Sequence, residues 1–201
     1  MRGNVSKDWV GNKNAVYSNM AASVHSELDR EKNDYYATDP AAVRMLLEME
    51  EFSGPIWECA CGEGHLSKVM IDYGYEVVSS DLIDRGYGTV QDFLDITNLE
   101  TDMNIITNPP YHVLDAWIEK GLNILQTGKK MALFLPIRYL EGKGRKALYL
   151  SSPPETVYIS SSRIQCAMNG DFANQTSNAV AYGWFVWTKG FNGTTSLKWF
   201  N

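Results

Sequence analysis

From residue 40 onward, short apolar runs of strand length alternate with stretches of helical spacing, and this alternation narrows the possible folds more than any other feature. Asp39 is a candidate cap ahead of Pro40, and Val43, Leu46 and Leu47 share one helical face. A turn at Ser53-Gly54-Pro55 leads into the apolar pair Ile56-Trp57, read as a buried strand. Further strands are expected at Glu76–Ser80, Met103–Thr107, Met131–Leu135, Val157–Ile159 and Val180–Trp187. Helical spacing runs from His112 to Gln126 through Val113, Trp117, Leu122 and Leu125, and again over Gly144–Leu150. Strands separated by helices imply a mostly parallel sheet with helices on both faces. Such sheets bind ligands at the carboxyl ends of their strands, where the strand order reverses. Function is therefore sought in the residues that follow each strand.

Size and charge set the outer limits. A chain of 201 residues fits one domain, here residues 34–201, with no separate target-recognition domain. Residues 1–33 are polar, are interrupted by Gly3, Gly11 and several asparagines, and read as a mobile or wrapping arm. A net charge of −6 argues against a surface that coats nucleic acid or anionic membrane, but not against a local basic edge. The longest apolar stretch, Ala179–Trp187, is about half of a bilayer span, and no secretion signal is visible. Three cysteines, two of them Cys59 and Cys61, suit a reducing, cytoplasmic setting.

The first strand is followed by Glu58-Cys59-Ala60-Cys61-Gly62-Glu63-Gly64, and helical spacing resumes at His65. Small residues there let backbone approach a ligand, and the missing Gly-Lys-Ser/Thr ending excludes a phosphate loop. Asp81 ends the second strand 17 positions beyond Gly64, which suits bonding to ribose hydroxyls. Asp92 can accept from an adenine amino group and Phe93 can stack on the base. This order favours a cofactor built on adenosine. Cys59, Cys61 and His65 can be drawn as a metal cluster, but a two-residue cysteine spacing across a tight turn suits packing better, and no metal is expected.

The Met103–Thr107 strand ends in Asn108-Pro109-Pro110-Tyr111. Two prolines cannot continue a strand; they stiffen the turn and leave carbonyls as acceptors. The Asn108 side-chain oxygen and the Pro109 carbonyl can both accept from one planar amino group, which favours a tetrahedral, nucleophilic nitrogen. Tyr111 offers a face for a flat, extruded base. His112 can touch the same substrate.

These elements, together with Tyr35-Tyr36-Ala37-Thr38-Asp39-Pro40, resemble the amino-group DNA methyltransferases, and more closely the small adenine-N6 methyltransferases of bacteriophages and prophages. The resemblance runs from about Ser23 to Trp187 and includes Leu135–Arg145 and Ala181–Trp187. It implies a Rossmann-like class I methyltransferase fold, with a mostly parallel seven-stranded sheet and one antiparallel strand. It also implies S-adenosylmethionine as cofactor, with Asp81 and neighbouring Leu82 at the ribose and Asp92 and Phe93 at the adenine. Tyr36, Thr38 and the loop residues Glu58, Ala60, Cys61, Gly62 and Gly64 would cradle the methionine part, beside Asn108. Cys61 and Glu63 flank Gly62 where the family varies, so neither is given a catalytic role.

The implied partner is DNA. Lys129, Lys130, Arg138, Lys143, Arg145 and Lys146 are candidate phosphate contacts, with only Glu141 among them. The polar segment Arg163–Asn178, with Asn178 at its end, can read or clamp a base. Site choice would come from this segment, from the N-terminal arm or from a partner chain. A protein glutamine amide and an RNA adenine are alternative acceptors, because the Asn-Pro-Pro-Tyr turn suits any planar amide or amine. A non-catalytic DNA- or cofactor-binding module is the remaining alternative, and the intact Asp81, Asn108 and Tyr111 speak against it.

Overall fold

The computed structural model describes residues 36–97, 100–161, 164, 166–168 and 180–200. The expected arm at 1–33, Asn178 and most of the Arg163–Asn178 segment lie outside the described residues.

The main sheet has eight strands: β2 (Ile56–Glu58), β3 (Val77–Asp81), β4 (Thr89–Val90), β5 (Asn104–Thr107), β6 (Lys130–Pro136), β7 (Thr156–Ser160), β9 (Tyr182–Thr188) and β10 (Ser196–Phe200). Their order is β10-β7-β9-β6-β5-β2-β3-β4. Only β9 runs antiparallel to its neighbours, pairing Leu133 with Phe185 and Val157 with Phe185. The sheet therefore has one strand more than the seven expected. The additional strand is β10, for which no strand is expected from the sequence, parallel to β7 with Trp199 opposite Ile159. A second, two-stranded sheet pairs β1 (Tyr36–Thr38) with β8 (Cys166–Met168), neither of which the periodicity shows.

Among the described residues, four α-helices cover the main sheet: α1 (Pro40–Met49), α2 (His65–Asp72), α3 (Leu114–Ile124) and α4 (Arg145–Ser151). Asp39 caps α1 by accepting from Ala41 N at 2.8 Å, with Pro40 supplying the preset first helical turn. The period-2 pleat divides each central strand between two cores. Ile56, Ile106, Phe134 and Trp184 pack with Val43 and Leu46 of α1 and with Leu66, Val69 and Met70 of α2. Trp57, Ile105, Leu133 and Phe185 pack with Leu114, Trp117 and Ile118 of α3 on the other face. Buried indoles are satisfied: Trp184 Nε1 donates to the Ala42 carbonyl at 2.8 Å and Trp57 Nε1 to Ser80 Oγ at 3.0 Å. Among the described residues no helix is long and apolar enough to cross a membrane.

Strand order reverses between β2 and β5, since β3 lies on one side of β2 and β5 on the other. The Gly-rich turn and the Asn108 turn leave the sheet at this switch point.

Candidate active site

A cleft of about 260 Å³ opens at the carboxyl ends of β2, β3 and β5. Thr38, Glu58, Ala60, Cys61, Asp81, Leu82, Asp92, Phe93 and Asn108 line it, which brings together nine of the residues singled out for a cofactor. Pro110 and His112 also line it, the latter exposed on a 3-10 turn over Tyr111–Val113.

Asp81 holds the Gly-rich turn in place. Its Oδ2 accepts from Gly62 N at 2.8 Å and its Oδ1 from Ile83 N at 2.9 Å. A carboxylate oxygen offers about two acceptor positions, so each Asp81 oxygen keeps one for a ligand hydroxyl. Gly62 and Gly64 adopt φ of 53° and 77°, the left-handed region where side chains are strained. A Cβ on Gly64 would meet the Tyr87 ring at 2.4 Å, because the chain after β3 folds back over the turn. Cys61 Sγ reaches the Tyr87 carbonyl at 3.5 Å in the same contact.

Glu58 is only 2% exposed and receives a hydrogen bond from Ser67, which lies 2.7 Å from the Ser79 hydroxyl. Loss of water around the carboxyl raises its pKa from 4.5 to about 8. Burial likewise pushes the Cys61 thiol up to about 12 and the Cys59 thiol well above its ordinary range. Neither cysteine is a thiolate at neutral pH, and among the described residues no His, Cys, Asp and Glu cluster is arranged to hold a metal ion.

At the end of β5, Asn108 Nδ2 donates to Thr38 Oγ1 at 2.9 Å, and Asn108 Oδ1 accepts from the Tyr111 hydroxyl at 2.7 Å. The Tyr111 hydroxyl also lies 3.3 Å from the Phe134 carbonyl. Pro109 is buried, and the Pro110 carbonyl accepts from Val113 N at 3.3 Å. The Tyr111 ring stands beside the cleft rather than in its wall, tilted toward Tyr139 at 5.9 Å and Tyr182 at 6.5 Å.

Other residues are placed differently from the expectation. Phe93 lines the cleft but is 2% exposed, wedged between Trp57 at 5.6 Å and Trp117 at 4.3 Å, so its ring is core as much as platform. Asp92 Oδ1 accepts from Leu94 N at 2.8 Å, which orients the carboxylate on the cleft wall. Only the backbone of Tyr36 is described, in β1. The six cations do not gather. Lys130 begins β6 and Lys129 precedes it, at the opposite end of the strand, roughly 20 Å away at about 3.3 Å per residue. There Lys129 donates to the Ser53 carbonyl at 2.9 Å and Lys130 pairs with Glu50. Arg138, Lys143, Arg145 and Lys146 do follow the carboxyl end of β6, and all but Arg145 are exposed. Arg145 stacks on Tyr139 at 4.2 Å and lies 3.7 Å from Asp115.

The periodicity gives no hint that Ile83, Arg85 and Trp117 also line the cleft. Arg85 sits four residues past Asp81, inside a loop punctuated by Gly86 and Gly88, which is the signal that could have found it. Trp117 is visible in the sequence only as an α3 core position.

No family model matches the sequence, and no curated protein matches it significantly. Solved structures do share its fold. A proposed RNA methyltransferase from Pyrococcus horikoshii superposes with a TM-score of 0.55 at 14% identity, over 90% of this chain and 100% of that one. An inferred O-methyltransferase from Agrobacterium tumefaciens gives 0.53 at 14% identity, over 80% and 84% of the two chains. A proposed class I S-adenosylmethionine-dependent methyltransferase from Listeria monocytogenes gives 0.51 at 13% identity, over 79% of this chain. The chain spans 62% of the length of that Listeria protein. At these identities the likeness concerns architecture: the chain has the class I S-adenosylmethionine-dependent methyltransferase fold.

Proposed function

We propose that the chain is an S-adenosylmethionine-dependent methyltransferase that acts on the N6 amino group of adenine in DNA. The observation that carries this reading is that Asn108 and Asp81, from the ends of β5 and β3, open on one cleft beside the Gly-rich turn.

The donor set fits the cofactor. Asp81 retains acceptor positions for two ribose hydroxyls, Leu82 and Ile83 supply apolar wall, and Asp92 is aimed for an amino group. Thr38, bonded to Asn108, and Glu58 also line the cleft and are the residues proposed for the methionine end. When bound, S-adenosylmethionine supplies a methyl group on a sulfonium, which is already a good leaving group.

The protein is left with positioning and polarising. Asn108 Oδ1, which accepts from the Tyr111 hydroxyl at 2.7 Å, is the amide oxygen proposed to accept from a substrate N–H as well. Together with the Pro109 carbonyl it withdraws the amino hydrogens from the plane of the base and concentrates the lone pair on nitrogen. No strong general base is required, because an alkylated amino nitrogen gives up its proton readily. The high thiol pKa values of Cys59 and Cys61 fit this economy, since no nucleophile is called for.

DNA is favoured over other acceptors by the likeness of the Thr38-Asp39-Pro40 and Asn108–Tyr111 elements to the phage adenine enzymes and by the cationic edge after β6. Tritium transfer from labelled cofactor to DNA, RNA and protein, followed by nucleoside analysis, tests the reading. Label in N6-methyldeoxyadenosine is expected; label in protein or RNA alone would overturn the assignment of DNA. Asn108→Ala should lower turnover at least about 100-fold, as for loss of an electrostatic contact to the reacting group, while cofactor affinity changes little.

A further inference from the structure

We propose that Thr38 is a positioning residue for Asn108, acting through the side-chain amide rather than only as part of the cofactor cradle. The inference rests on the methyltransferase reading and adds to it a reason for the orientation of the amide.

An asparagine side chain turns about a soft, nearly two-fold torsion, so its oxygen and nitrogen exchange places easily unless each is held. Only one orientation is useful. With Oδ1 toward the amino group the residue accepts; with Nδ2 there, two donors face one another and the nucleophile is repelled.

Both ends of the amide are held here. Nδ2 donates to Thr38 Oγ1 at 2.9 Å and Oδ1 accepts from Tyr111 at 2.7 Å. In the flipped orientation Nδ2 would face the Tyr111 hydroxyl, which would have to turn its proton away from the 2.7 Å contact, for instance toward the Phe134 carbonyl at 3.3 Å. Tyr111 thus favours the productive orientation, and Thr38 anchors the opposite edge.

Thr38 is itself a firm support. It is 3% exposed, its β-branched side chain is stiff, and its backbone is fixed in β1 by pairing with Cys166 of β8. The bond spans 70 positions in sequence and ties β1 of the small sheet to the turn that follows β5 of the main one.

The test compares Thr38→Val, which keeps shape and removes the acceptor, with Thr38→Ser, which restores it. Parent transfer activity is measured first on DNA, RNA and protein; a parent inactive on all three overturns the functional reading itself. With an active parent, Thr38→Val is expected to lower kcat by about 10- to 100-fold, within the range for misplacing a catalytic group. The loss should persist at saturating cofactor, with the KM for the methyl acceptor within about twofold of the parent. Thr38→Ser should recover kcat to within about threefold of the parent. Thermal unfolding of each variant separates misfolding from misorientation: a folded Thr38→Val enzyme with parental kcat overturns the proposal. So does a folded variant whose loss is confined to cofactor Kd and disappears at saturating cofactor, because Thr38 would then act on the cofactor alone. Should Thr38→Val not fold, Thr38→Ala and the serine variant carry the same comparison.

Discussion

Glu58 keeps its proton at pH values where ordinary carboxyls have lost theirs, and the sign of the consequence follows from where it is buried. In the unfolded chain it titrates near 4.5; in the fold burial moves it to about 8. Between those values the native state holds a proton that the unfolded state has released. The stabilisation is fully present below about pH 4.5 and is lost as pH rises through about 8. Stability should therefore fall from about pH 5 to about pH 8, by up to about one proton's linkage per pH unit from this group. Glu58→Gln, neutral throughout, should flatten that slope. Urea midpoints at pH 5, 6.5 and 8 measure it, and an unchanged slope in the variant would move the effect to another group.

The turn that carries Glu58 makes a second demand at the scale of the element. Gly64 combines a φ of 77° with a Tyr87 ring lying where a Cβ would project. Gly64→Ala should cost about 1–2 kcal/mol from the left-handed backbone, plus a steric part. Tyr87→Ala in the same chain should remove the steric part only, leaving the backbone cost. Denaturation of the single and double variants separates the two, and a double variant no more stable than Gly64→Ala would show that Tyr87 yields without strain. The same elements show what a sequence can disclose. β6 and β9 are legible because both faces are buried and their residues run almost unbroken apolar, and the shorter β5 shows through Ile105 and Ile106. β4 is two residues long and β10 exposes Leu197 and Trp199, so neither carries a burial pattern. β1 and β8 are joined by backbone pairing, Tyr36 to Met168, across a separation that no local period records. The candidate site divides likewise. Asp81 and Asn108 are legible as residues that end strands, whereas the Thr38–Asn108 bond and the burial of Phe93 between two tryptophans depend on the finished tertiary structure.

At the scale of the whole molecule, a net charge of −6 and a nucleic-acid substrate are compatible only if cations are segregated. The fold separates them by the length of β6. Lys129 and Lys130 are tied down at its start, while Arg138, Lys143 and Lys146 are exposed beyond its end, on the side where the cleft opens. Arg145 is a poor probe of phosphate contact, since its guanidinium packs on Tyr139, whose hydroxyl in turn reaches the Tyr111 carbonyl at 3.3 Å. Removing Arg145 would disturb the Asn108 turn as well as the charge. Lys143→Ala with Lys146→Ala avoids that ambiguity. Each phosphate contact contributes about 0.9 to the slope of log K against log salt for duplex DNA. The double variant should bind DNA more weakly at low salt and shallow that slope by about 1–2, whereas Lys129→Ala should leave it unaltered. Fluorescence titrations across a salt series provide the measurement. A slope that responds to Lys129 and not to the pair after β6 would put the nucleic acid at the amino edge of the sheet, on the side away from Asn108. The cleft would then need a smaller acceptor than a duplex.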